Sequence, residues 1–145
     1  MGYELRDHTA DVAVEATGPT LGATFAAAAD GMAAAMCDVI PESGGERFPV
    51  EVRAESREAL LFDYLDELIY QRDVRGVLPV DNEAAVRESD VREPAGDDGE
   101  WTLTGAARGV PLAGLGARDL KAVTYSEMDL RETDDGWRAY VVFDV

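Results

Sequence analysis

The sequence predicts an α+β fold, a single domain spanning residues 1–145 in which a mixed or antiparallel β-sheet carries two main helices. Three observations lead there. Residues 21–37 and 56–73 repeat apolar side chains every three or four positions, as helices with one buried side do. The remaining segments alternate apolar and polar residues between Gly- and Asp-rich turns, which is the period of half-buried strands. A length of 145 residues suits one hydrophobic core and leaves little room for a second.

The elements follow in order. "DVAVEA" from Asp11 sets Val12, Val14 and Ala16 on one face and Asp11, Ala13 and Glu15 on the other. "TGPT" breaks this strand and offers Thr20 as a helix cap. In "LGATFAAAADGMAAAMC" the stripe Leu21, Phe25, Ala28, Met32 and Met36 reads as core rather than a cofactor pocket, and the alanines permit close approach to a sheet. "IPESGGER" is a turn-rich link to a second strand, "FPVEVRAE". The helix "SREALLFDYLDELIYQRD" takes Ser56 as its cap and buries Leu61, Tyr64, Leu65, Leu68 and Ile69, leaving Asp63, Asp66 and Glu67 as a solvated face.

The second half reads as strands. "GVLPV" and "AAVRESDVRE" lead to a hairpin signalled by Asp98-Gly99 and continued by "WTLTGAARG". "GVPLAGLGARD" lacks the spacing of a phosphate-cradling loop and reads as a plain connection. "DLKAVTYSEMDLRE", the turn "TDDG" and "WRAYVVFDV" form a second hairpin, and Trp101 and Trp137 each follow a "DDG" turn closely.

The formal charge of -17, from 30 acidic residues, argues against direct nucleic-acid binding and against an anionic membrane surface, both of which need basic patches. All 13 basic residues except Lys121 are arginines. Abundant acid with lysine nearly absent suits a high-salt, halophilic cytoplasm, where a short Debye length tempers self-repulsion. Cys37 is the only cysteine and forms no internal disulfide, which fits a reducing compartment. "MGYELRDH" has no signal-peptide pattern and no apolar run reaches membrane-spanning length, so the expected location is the cytoplasm.

The only histidine, His8, stands between Asp7 and Asp11 at the mouth of the first alternating strand. The final strand has two largely apolar faces, yet ends in Asp144, with Val145 and its main-chain carboxylate next. A carboxylate beside buried surface is tolerated when it is paired, hydrogen-bonded or bound to a cation. If the Asp11 strand and the final strand pair antiparallel, Asp11 and Asp144 meet across them, and a divalent cation would let them stay ionised together. All-oxygen ligation favours calcium, magnesium or manganese. His8 would then serve as a hydrogen-bonding support or a nitrogen ligand. Asp11 as a turn cap and Asp144 as an exposed terminal residue explain the same spacing, and the sequence pattern alone leaves both readings open.

The segments "HTADVAV", "TLGATFAAAADGMAAAMCDV", "ALLFDYLDELIYQRD", "LKAVTYSEMDL" and "GWRAYVVFDV" together resemble the archease family over most of the chain. That resemblance implies a small α+β protein that is not itself an enzyme. It implies a cofactor protein of the RtcB-type RNA ligase of tRNA splicing, helping the ligase acquire guanylate and turn over repeatedly. It also implies a metal site, of calcium type, at the chain ends, formed here by Asp11 with Asp144 and Val145. Two departures stand out: Ser126 follows "KAVTY" where the family commonly has histidine, and "VPLAGLGAR" replaces a segment that often carries an acid and an Arg-His pair. Lys121 is kept in a chain that otherwise uses arginine, which points either to a need for a compact ammonium or to an ordinary ion pair. The rival functions are a metal-dependent phosphoester or nucleotide hydrolase with His8 as base, and a chaperone-like binding module with a structural ion.

Overall fold

The computed structural model describes residues 2–7, 11–88 and 100–145, with the backbone alone for residues 5–7. The order is β1 (Gly2–Asp7), β2 (Asp11–Gly18), α1 (Leu21–Met36), β3 (Glu46–Ala54), α2 (Arg57–Arg75), β4 (Val77–Glu88), β5 (Trp101–Pro111), β6 (Ala122–Thr133) and β7 (Gly136–Asp144). The expected α+β fold with two helices is present. Its strands divide into two sheets, β1-β2-β7-β6 and β3-β5-β4, and every pairing is antiparallel.

Each helix packs against strands of both sheets. α1 lies on β1, β2 and β7 of the first and on β4 of the second. Glycine permits this double contact: a Cβ on Gly22 would come 2.4 Å from the Ala84 carbonyl oxygen, and one on Gly31 would come 2.5 Å from Val14 Cγ1. Burial therefore extends round α1, from Phe25 and Met32 to the alanines, whereas α2 keeps one buried stripe of Leu61, Tyr64, Leu65, Leu68 and Ile69. Both expected caps form. The Ala23 N–H donates to Thr20 Oγ1 at 3.0 Å and the Ala59 N–H to Ser56 Oγ at 3.1 Å. α2 ends on Gly76 at φ 66°, a left-handed position suited to glycine. Cys37 is buried at the end of α1, as a small hydrophobe should be.

Three features differ from the sequence reading. β1 is an additional strand, pairing with β2 from Gly2↔Thr17 to Asp7↔Val12. "GVLPV" and the start of "AAVRESDVRE" are one strand, β4, interrupted by a bulge between Val80 and Glu83 where Asp81 takes φ 48°. β6 is also irregular: Thr124 pairs with Val142 and Asp129 with Tyr140, so the residues between bulge outward, with Glu127 at φ 61°. The Asp98-Gly99 turn lies outside the described residues. The two tryptophans share one cation: Arg57 at the start of α2 stands over Trp101 of one sheet (5.7 Å) and Trp137 of the other (5.1 Å), joining the sheets by cation–π contact. Among the described residues no helix is long and apolar enough to cross a membrane.

Candidate functional site

β7 runs between β2 and β6, and alternation sends Ala139, Val141 and Phe143 into the core shared with α1. Arg138, Tyr140, Val142 and Asp144 therefore take the opposite face. The register sets Asp11 directly across from Asp144, with Ala13 opposite Val142. Directly opposed residues share a face with Cβ atoms about 5 Å apart. Ala13 and Val142 are buried, Asp11 is half-buried and Asp144 is exposed, so the two carboxylates stand at the rim of a covered strip. The sequence argument required these two residues to meet, and the strand pairing brings them together.

Further along that face the charges are paired. Arg138 of β7 bonds Glu15 of β2 and reaches Asp129 of β6 at 3.4 Å. Asp11 and Asp144, by contrast, have no ion pair among the described residues. Their surplus negative charge and oxygen donors suit a hard divalent cation. Among the described residues no three His, Cys, Asp or Glu side chains come together as a metal-binding group; Val145, the third expected contributor, is 44% exposed. His8, the expected supporting residue, lies outside the described residues.

Lys121 enters through its backbone. Its N–H donates to the Asp144 carbonyl at 2.8 Å, while its side chain is exposed and makes no ion pair among the described residues. The brace behind this contact escaped the sequence reading. Arg72, in the last turn of α2, is 7% exposed and donates through Nη1 to the Leu120 carbonyl at 2.8 Å, and through Nε to Asp73 at 3.0 Å. Its signal was a cation on the apolar side of an amphipathic helix, in line with Leu65, Leu68 and Ile69. The connection Arg72–Leu120–Lys121–Asp144 ties α2 to the carboxylate end of β7. Ser126 sits on the outward bulge of β6 beside Tyr125, whose ring stacks on Phe62 at 4.2 Å. The segment 112–119 is a loop held by Arg118, which bonds the Ala35 carbonyl and Asp38. Arg118 pulls the Asp38 carboxyl below its ordinary range.

Residues 3–145 match the family model described as the archease protein family (MTH1598/TM1083). The chain belongs to the archease family. The protein archease of Methanosarcina barkeri is 34% identical, with 99% of this chain and 95% of that protein covered. The corresponding protein of Pyrococcus furiosus is 29% identical over 99% of this chain and 98% of its own. Among solved structures, protein 1598 of Methanobacterium thermoautotrophicum matches with a TM-score of 0.78 at 34% identity, covering 99% of each chain. A Thermotoga maritima archease, described as a possible chaperone, shares the fold with a TM-score of 0.57 at 21% identity, covering 98% of this chain and 96% of its own. The archease fold thus accounts for the whole described chain, including both strands that carry Asp11 and Asp144.

Proposed function

We propose that this archease-family protein is a non-enzymatic activator of an RtcB-type tRNA-splicing RNA ligase, promoting ligase guanylation and multiple turnover. In this reading Asp11, Asp144 and the main-chain oxygens of Val145 hold a divalent cation, calcium in preference to magnesium or manganese. The observation that carries it is the cross-strand register of Asp11 with Asp144 in a chain of this family. A bound cation supplies positive charge that offsets the two carboxylates and gives the ligase's guanylate phosphate a point of attraction. The chain's own residues fix that end: Arg72 holds Leu120, and the Lys121 N–H holds the Asp144 carbonyl.

The absence of lysine apart from Lys121, with a charge of -17, supports work in a high-salt cytoplasm and a protein partner rather than RNA itself. The description of one relative as a possible chaperone is consistent with an accessory role.

The deciding experiment is multiple-turnover RNA ligation by the cognate ligase, at matched salt, with and without this protein. Acceleration beyond the first turnover is expected, and Asp11→Asn should remove most of it while leaving the fold intact. No acceleration by the unmutated protein rejects the activator role. Phosphoester or nucleotide turnover by the isolated protein would instead favour the hydrolase.

A further inference from the structure

A cavity of about 420 Å³ opens between α1, β4 and β1, at the end of β2 opposite Asp11. Its walls are largely apolar, with Ala23 and Ala27 from α1, Ala84 from β4 and Tyr3 from β1. Asp30 and Asn82 supply a polar end. The β4 bulge creates it: the Asn82 N–H and Nδ2 donate to the same Asp30 oxygen, Oδ1, at 3.1 and 2.8 Å.

Asp30 has acceptor capacity left over, because both Asn82 donors go to one of its two carboxylate oxygens. Asn82 Nδ2 also points to the Pro79 carbonyl at 3.4 Å, so exchanging the amide oxygen and nitrogen would set oxygen against two acceptors. The amide orientation is thereby fixed, and Asn82 Oδ1 is buried with no hydrogen-bond partner in a side chain only 7% exposed. Tyr64 does not supply the missing donor, since its buried hydroxyl has no partner either. No basic side chain lines the cavity among the described residues. Burial, more than the neighbouring charge of Asp81, raises the Asp30 carboxyl above its ordinary range. Asn82 Oδ1 lies behind the cavity wall, out of reach of solvent, whereas Asp30 lines the cavity; a partly desolvated carboxylate is costly, and a cationic N–H donor in the cavity relieves it.

We propose that this cavity binds a small organic cation with an apolar body, a primary amine or an amidinium. Its N–H groups donate to the Asp30 carboxylate, and its hydrocarbon lies against the alanines. A bare metal ion would leave the apolar walls unfilled, and an anion would be repelled by Asp30. A neutral amide would leave the charge of Asp30 unmet. The site is independent of Asp11 and Asp144 and of the ligase reading.

The test is an amide NMR titration of the full chain with benzamidine, and with benzamide and benzoate as neutral and anionic matches of the same shape. Benzamidine should give saturable shifts at Ala23, Ala27 and Asn82. Benzamide should bind at least about tenfold more weakly, as loss of a charge-assisted hydrogen bond implies, and benzoate should not bind. Asp30→Asn, which keeps an acceptor for both Asn82 donors, should weaken benzamidine by a similar factor, and Ala23→Leu should block it by filling the cavity from a half-buried position. Equal binding of benzamidine and benzamide, or no saturable shift at these residues, overturns the proposal, and that comparison uses only the unmutated protein.

Discussion

Two carboxylate settings in this molecule solve the same problem in opposite ways. Asp30, beside the core, is held by two N–H donors from Asn82 on a neighbouring strand. Asp11 and Asp144 face each other at a sheet end with no donor or cation among the described residues. The first arrangement spends protein hydrogen bonds to keep one charge inside. The second leaves two charges to be met from outside, which is what a site for a diffusible ion requires. Hydrogen bonding therefore separates a carboxylate anchored to the fold through one of its oxygens from a pair that no side-chain donor among the described residues holds.

The contrast is broken most strongly at Asn82. Asn82→Ala removes one donor to Asp30 and a buried amide, and should lower unfolding free energy by about 2 kcal/mol, measured by denaturant titration at fixed salt. A loss near zero would mean that water already does the work of the amide.

A smaller effect concerns pH. Asp30 has its carboxyl raised in the folded state, chiefly by burial, so the folded protein holds this proton more tightly than the unfolded chain. Its contribution to stability is then fully present below the ordinary carboxylate range and is lost as pH rises through the folded value. Asp30→Asn should remove that component: the stability of the variant minus that of the parent should increase from acid toward neutral pH and then level off. A difference that is flat with pH would contradict the raised carboxyl.

The smallest effect is expected at the exposed pair. In chelator-treated protein, Asp144→Asn should change unfolding free energy by less than about 0.5 kcal/mol, or raise it slightly by relieving repulsion. A large loss would show that Asp144 is an architectural carboxylate after all, and the contrast with Asp30 would disappear.

Much of this was legible because short periodicities carry it. Alternation along "DVAVEA" and "WRAYVVFDV" assigned faces, and with antiparallel pairing the meeting of Asp11 and Asp144 followed. The helices were legible for the same reason, down to Thr20 and Ser56 as caps. β1 was not, since Gly2, Tyr3 and Glu4 are all exposed and an edge strand of that kind buries too little to show a pattern. The division into two sheets had a signal in α1, whose sole charged residue is Asp30: a helix so free of charge is covered on more than one side. The Asp30–Asn82 contact could not be read, because the two residues lie 52 positions apart and their meeting depends on a bulge that no local pattern announces. Arg72 reached Leu120 across 48 positions for the same reason.

The place of β7 has a consequence for biosynthesis. It pairs with β2 on one side and β6 on the other, with Asp11 and Asp144 as partners at the far ends of the sequence. While residues 136–144 are still within the ribosome, β2 and β6 have no strand between them, and one side of α1 lacks part of its cover. The insertion of β7 is thus a late, long-range step of the kind that makes contact-order-rich β topologies slow and leaves sticky edges open to neighbouring nascent chains.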